Sequence, residues 1–555
     1  MTTGISALID ISRRSLGVQS QSIRVIGNNI NNVNNADYAR RVVNIISDAA
    51  TGANGIVYGS GATITSVTGV VDNFLNKNYI ACLSESSSAQ IQSDYLQRAE
   101  ALFSLDSTNG RIGTELAKFF SALEDLQSDP SSLSYRLGVL NQGQTLTSTI
   151  SSTYNNLAEL QREANDRMEG VVGDINRITA GIATLNEQIS KYEATGQEAL
   201  SLHDQRDGLL KELAKNISFS TTTQKDGTIN VTLSNGFGLV TGFNSNQLKF
   251  SPTPSFVDGK NTPSALDGGS LGFITFDYDK TGTTPTEINL TSIIAAGDGE
   301  LAGLLKFRGV QTVGTTSAFD VSGSIVEAAT YVETIARDLL TRFNLAYLAV
   351  ENGESTSGNL LGEQTNTFVS GVPQNTFALF SFRGANNSLT GGADLDSDGI
   401  PSQSDLEKFG LNSYASLLTF NLDDPSKFSA ALNISNVSGT YQFADGDGSN
   451  IQNLLDQKNA RINYNLGAVQ VTSTISQLYD TTVSRIGVMK KEVTDAAELA
   501  SGKVSQAEAA VSAVSGVDLD EEFAKLILYQ KAYEASARMI NVASTLLDEL
   551  INLLR

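Results

Sequence analysis

The sequence predicts an α+β multidomain protein: terminal coiled-coil helices, a long helical bundle and two inserted β-rich domains. Three observations carry this. Both ends of the 555-residue chain place apolar residues at every seventh position. A third stretch of the same kind runs from Tyr154 to Tyr192. Between these, residues 216–299 and 353–445 lose the helical period and fill with Gly, Ser, Asn and short alternating runs.

At the N-terminus, Ile9, Leu16, Ile23 and Ile30 recur every seven residues, beside a row of Ile5, Ser12, Gln19, Ile26 and Val33. At the C-terminus, Leu519, Leu526, Tyr533, Ile540 and Leu547 do the same, beside Phe523, Gln530, Ala537, Ser544 and Ile551. Each is a narrow a/d stripe with polar residues inside it. A helix docked on an ordinary globular core carries a wider stripe. The two ends are therefore expected to pair with each other, and the pair with copies of itself. Charge agrees: Met1 to Val33 carries three arginines against Asp10, net +2, while Val517 to Arg555 carries seven acids against four bases, net −3.

Composition excludes several functions. A net charge of −22 is wrong for nucleic acid, which needs clustered Lys and Arg, and wrong for an anionic membrane surface. No apolar run approaches the roughly 20 residues that span a bilayer. The basic-then-apolar pattern of a cleaved signal peptide is missing at the N-terminus. Cys82 is the single cysteine, so no intrachain disulfide forms. His203 is the single histidine, and no Ser-His-Asp or metal cluster can be built around it.

Residues 27–41 are the most specific stretch. Six Asn occupy the eight positions from Asn28 to Asn35. Asn amides compete with helix backbone bonds, so a helix is expected to end here with side chains bonding backbone or a neighbouring chain. Residues 45–70 read as a short β-loop broken by Gly52, Gly55, Gly59 and Gly61, and residues 71–126 as helical. From Tyr154, two rows of six (Tyr154, Gln161, Met168, Ile175, Ile182, Ile189; Leu157, Ala164, Val171, Ile178, Leu185, Tyr192) read as a coiled-coil-like arm. The string Asp204-Gln205-Arg206-Asp207 closes the helical stretch.

From Ile217 the period becomes two, with Ile229, Val231 and Leu233 alternating after the turn Lys225-Asp226-Gly227. Helix resumes over 301–350, with Val332, Ile335, Leu339 and Phe343 on one face. Short strands are expected near Phe377–Phe382, Leu417–Phe420 and Tyr441–Phe443, and helix from there to the end. The nesting gives four units. Residues 1–40 with 515–555 form a terminal assembly domain. Residues 41–215, 300–352 and 446–514 form a helical domain. Residues 216–299 and 353–445 are the β-rich insertions.

One loop has the spacing of a calcium site. Asp394, Asp396, Asp398 and Asp405 fall at loop positions 1, 3, 5 and 12, with Gly399 at position 6. Ile400 would add its carbonyl and Ser402 a direct or water-bridged contact. Three acids crowded round one Gly favour Ca2+; the alternative is an acidic surface turn.

The Asn-rich run resembles the N-terminal motif of the axial proteins of the bacterial flagellum, the family of rod, hook and hook–filament junction proteins. Asn29, Asn32, Tyr38 and Arg40 match that motif, with Asn35-Ala36-Asp37 where the family has Thr-Pro-Gly. The run from Asp520 through Tyr529-Gln530, Ala532-Tyr533, Ala537-Arg538 and Leu546-Leu547 resembles the family's C-terminal motif. Asp204 to Asp207 and Asp445 to Asn450 resemble internal strings of its junction members. The resemblance implies an extracellular structural adaptor rather than an enzyme. It would be exported unfolded through the flagellar type III channel without a cleaved signal peptide, and assembled as a ring homo-oligomer joining hook to filament. The partners implied are further copies of the chain, the hook protein, the second junction protein and an export chaperone at the C-terminus, with no nucleic acid and no membrane. The competing readings place a glycan-hydrolysing or calcium-dependent adhesive insertion on such a scaffold.

Overall fold

The computed structural model describes residues 2–48, 51–53, 56–103, 112–196, 198–252, 265–277, 287–310, 322–348, 350–351, 354–355, 368–369, 372–373, 379–382, 413–428, 430–431, 434–437, 440–443, 446–466 and 469–553. Ten helices organise it: α1 Thr2–Asn31, α2 Asn73–Ala101, α3 Ile112–Ser128, α4 Leu133–Glu193, α5 Leu200–Asn216, α6 Glu300–Arg308, α7 Ser324–Asp338, α8 Ser449–Asn459, α9 Ile475–Ser515 and α10 Leu519–Leu553. None of the described helices is long and apolar enough to cross a membrane.

Helix α4 is the spine. At 61 residues and ~1.5 Å per residue it runs about 90 Å. Ser132 caps its start, its hydroxyl accepting the Tyr135 N–H. The row Tyr154, Gln161, Met168, Ile175, Ile182 and Ile189 is fully buried, so the stretch is no protruding arm. It is covered along its length by α3, α5, α6, α7 and strands of both β-rich regions. The heptad rows said that α4 has partners. They did not say that all of them come from its own chain.

The first β-rich region is stitched to this spine. Strands Ser220–Thr223, Ile229–Thr232, Gly238–Thr241 and Asn244–Ser245 form one antiparallel sheet in that order. Strands Lys249–Ser251, Phe273–Asp277 and Glu287–Asn289 form another, with Phe273–Asp277 in the middle. From α4, the Asn186 amide donates to the carbonyls of Ile229 and Gly242, each at 2.8 Å. The Asn176 amide exchanges two 2.8 Å bonds with the Leu248 backbone. Val231, Leu239, Val240, Leu248 and Ile274 join the same apolar core as the helices.

Part of the second region is also built into the body. Strand Phe380–Phe382 pairs antiparallel with Leu418–Phe420, placing Phe380 opposite Phe420. Those rings and Phe119 of α3 meet edge-on at 5.4–6.0 Å. The buried Glu333 of α7 accepts from the Ser413 hydroxyl and from the Tyr414 and Ala415 N–H groups. Burial pushes its carboxyl up, against these bonds.

The segment after residue 446 departs from the helical expectation. Strands Ile462–Leu466 and Val469–Ser473 form an antiparallel hairpin between α8 and α9. The physical reason is a period of two: Ile462, Tyr464 and Leu466, then Val469 and Val471, alternate with polar residues across Gly467. After it, Thr474 opens α9 with a capping box to Gln477. Helix α9 buries Ile475, Tyr479, Thr482, Ile486 and Met489, and further on the small Ala497 and Ala500.

Candidate assembly interface

Helices α1 and α10 lie antiparallel, with the Ser15 and Ser536 hydroxyls 2.7 Å apart and Asn29 bonded to Glu522 at 2.8 Å. The contact keeps the period of seven, but its centre falls on other rows than those marked by the apolar residues. On α1 the centre is Leu8, Ser15, Ser22 and Asn29; on α10 it is Glu522, Tyr529, Ser536, Ala543 and Leu550. In the middle of the contact Ser15, Ser22, Ser536 and Ala543 are small, and there the helices approach closely. Ile9, Leu16, Ile23 and Ile30 stay half-buried on the flank of the contact, as do Leu526, Ile540 and Leu547, while Leu519 and Tyr533 are exposed.

A second apolar stripe on α10 carries no signal in those rows. Leu528, Met539, Val542 and Leu546 step by eleven, three and four, a helical spacing that puts them on one face. That face is turned from α1, and Leu528 and Val542 are 65% and 57% exposed. With Phe523 and Ile527 also open to solvent, α10 displays more large apolar surface than it buries.

The Asn-rich motif clasps this pair to the body. Helix α1 ends at Asn31, and the Asn32 side chain donates back to the Asn28 carbonyl at 2.9 Å. The Asn35 side chain closes the following turn by accepting the Asp37 N–H. Asn29, fully buried, uses every hydrogen-bonding position of its amide. Its nitrogen donates to the Arg41 carbonyl at 3.0 Å and to Glu522. Its oxygen accepts the Tyr38 hydroxyl at 2.7 Å and the Arg41 N–H at 3.0 Å. Burial raises the Tyr38 phenol, with Arg41 acting against it. The Arg40 N–H donates to the Ser515 carbonyl at 2.8 Å, and its guanidinium lies 3.7 Å from Glu521. Of the four motif residues, Asn29 bonds Glu522 of α10, Arg40 reaches the end of α9 and Glu521 of α10, Tyr38 bonds Asn29, and Asn32 serves the helix end alone.

Helix α5 receives the motif from the other side. Arg41 pairs with Asp204 at 3.1 Å while lying 4.9 Å over the Tyr38 ring. Lys211 pairs with Asp37 at 2.9 Å and donates to the Ala36 carbonyl. Burial raises the carboxyls of Asp204 and Asp207, Arg41 opposing it at the first and Arg206 at the second. The buried Arg206 faces the sheet instead, donating to Asn186, to the Gly227 carbonyl at 2.8 Å and to His203 Nδ1 at 2.8 Å. His203 Nε2 lies 2.6 Å from Glu193. The string from His203 to Asp207 is thus a joint, its Asp204 toward the N-terminal motif and its Arg206 toward the sheet. The second string anchors α8, where the buried Asn450 amide donates to the Tyr347 carbonyl at 3.0 Å. The candidate calcium ligands Asp394, Asp396, Asp398, Ile400, Ser402 and Asp405 lie outside the described residues.

The two chain termini thus form a clasped antiparallel pair on a nested helical body. A family model described as the flagellar hook-associated protein FlgK helical domain matches residues 96–359, and one described as the flagellar basal body rod FlgEFG protein C-terminal matches residues 511–553. Curated relatives named flagellar hook-associated protein 1 match nearly end to end. The Salmonella typhimurium LT2 protein is 26% identical over 99% of this chain and 100% of its own length. The Escherichia coli K12 protein is 25% identical with the same coverage, and the Bacillus subtilis 168 protein 22% identical over 98% and 97%. The solved flagellar hook junction protein FlgK from Burkholderia pseudomallei shares the fold, with a TM-score of 0.55 at 18% identity over 79% of this chain and 100% of that one. Over nearly its whole length, the chain is similar to flagellar hook-associated protein 1.

Proposed function

We propose that the chain is an extracellular structural adaptor that assembles as a ring joining the flagellar hook to the filament. The near end-to-end similarity to flagellar hook-associated protein 1 supports the place in the flagellum. The observation that carries the assembly reading is the outward stripe Leu528, Met539, Val542 and Leu546, left open on a helix whose other side is already paired with α1. Neighbouring copies of the chain would cover it, with the hook protein below and the second junction protein above. Before assembly, an export chaperone would shield α10 while the chain travels unfolded through the flagellar type III channel. The test is complementation of a strain lacking this protein. The double variant Leu528→Asp and Val542→Asp should yield hooks without filaments by electron microscopy. Normal filaments on that variant would reject the reading.

The loop Asp394 to Asp405 supports a calcium-site proposal on its spacing alone. Such an extracellular module would bind Ca2+ at roughly 10⁻⁴–10⁻³ M. Calorimetry of the full chain should give saturable heat that Asp396→Ala abolishes; equal heat from both proteins rejects the site.

A further inference from the structure

Helix α1, helix α10 and strands Arg41–Ser47 and Ala62–Gly69 form one unit. The strands pair with each other and pack on α1, where Gly61 meets Ile11 and Arg14 pairs with Asp48. The chain joins this unit to the body twice, at Val70 to Asp72 before α2 and at Gly516 to Asp518 between α9 and α10. The two links lie side by side. The Val70 N–H donates to the Arg40 carbonyl and the Arg40 N–H to the Ser515 carbonyl, both at 2.8 Å. Two links so close together fix where the unit is attached and leave its angle to the body free.

A third contact, on α5, sets that angle. Arg41 pairs with Asp204 at 3.1 Å, and Lys211 with Asp37 at 2.9 Å while donating to the Ala36 carbonyl at 3.3 Å. Asp204 and Lys211 stand two turns apart, about 10.5 Å along α5, so the unit is gripped along the helix rather than at a point. Asn29 and Tyr38 hold this segment on the unit's side. Apolar packing across the junction is slight: Leu200 lies beside Gly69, and among the described residues no side chain of the unit joins the body's core. Asp37 is half-exposed, and ion pairs of this kind are individually weak and screened by salt. Hinges form where a few residues at element ends absorb the rotation. We propose that residues 70–72 and 516–518 are a hinge, and that the Asp37–Lys211 and Arg41–Asp204 pairs are the clasp that holds the terminal pair at one angle to the body. Opening the clasp leaves the body's core and the Asn29–Glu522 contact whole, so the body can lean without disturbing the helix pair.

Pulsed electron spin resonance on the dilute full-length chain reads the angle. Nitroxide labels go on Gln506→Cys of α9 and Lys531→Cys of α10, exposed positions on either side of the hinge, with Cys82→Ala as background. At about 0.05 M salt the spread of label-to-label distances should be close to that of a control pair within α9, Lys491→Cys with Gln506→Cys. At about 1 M salt, where screening shortens to about 3 Å, it should widen about twofold or more while the control stays narrow. Lys211→Asp with Asp204→Asn should give the wide spread already at low salt, with cooperative melting of the body retained. Asp37→Lys with Lys211→Asp, on an intact Asp204, swaps the charges of one pair and should restore the narrow low-salt spread. A spread that both salt and the double variant leave narrow overturns the clasp. So does a parent chain already wide at low salt, a charge-swapped chain as wide as the double variant, or loss of the body's cooperative melting in the double variant.

Discussion

Helices α4 and α10 carry the same kind of sequence pattern and meet opposite ends. The heptad row of α4 from Tyr154 to Ile189 is fully buried by elements of its own chain. Among the described elements helix α10 packs on α1, and it keeps Phe523, Ile527, Leu528, Met539, Val542 and Leu546 in solvent. No residue of α1 or α10 belongs to the apolar core that runs from α2 to α9. A heptad stripe therefore announces that a partner exists, and says nothing about whose chain supplies it. The body is self-sufficient. The terminal pair is finished only by other molecules.

Substitutions sharpen this contrast. Ile175→Asp puts a charge where α4 is fully buried and should remove the cooperative melting of the body, a loss above about 4 kcal/mol. Ile23→Asp and Leu547→Asp, on the half-buried flanks of the terminal pair, should leave that melting transition in place and abolish filament attachment. A body that fails to melt cooperatively in either variant breaks the comparison.

Two glycines repeat the contrast at smaller scale. A Cβ on Gly303 of α6 would sit 2.2 Å from Ile91 and 2.6 Å from the Ser88 carbonyl of α2. Gly303→Ala should destabilise the body by about 1–3 kcal/mol in denaturant unfolding. Gly17 of α1 has nothing within 4 Å, and Gly17→Ala should favour α1 by about 0.5–1 kcal/mol, seen as slower hydrogen exchange across residues 10–25. The smallest effect is at the joint. The carboxyl of Asp207 is raised by burial, so stability falls as the pH rises above the ordinary value of 3.8, and the full cost is reached above the raised folded value. Asp207→Asn should raise the melting temperature at pH 7, and the gain should vanish below the ordinary aspartate value of 3.8. A gain independent of pH would contradict the assignment.

The parts that sequence made legible are those where one residue type repeats. The α4 rows, the alternation of Ile229, Val231 and Leu233, and the pairing strands around Phe380 and Phe420 all repeat on a short period. The terminal pairing was legible, and its centre was not. Apolar periodicity marks the flanks, whereas the closest contact runs through Ser15, Ser22 and Ser536, which periodicity counts as polar. Asn29 stood out for its composition, but its partner Glu522 lies 493 residues away and looks like any acid in a first helical turn. The outward stripe leaves no mark on a seven-residue row because it steps by eleven, three and four.

The central claim is that α10 is covered by other chains while α4 is covered by its own. Hydroxyl-radical footprinting of the free chain and of the same protein in isolated hook–filament junctions tests it side chain by side chain. Labelling of Leu528, Met539, Val542 and Leu546 should be strong in the free chain and fall about tenfold on assembly, as large apolar surface passes out of water, while Met168 and Ile175 stay dark in both. Equal labelling of the α10 stripe in the two states would contradict the account.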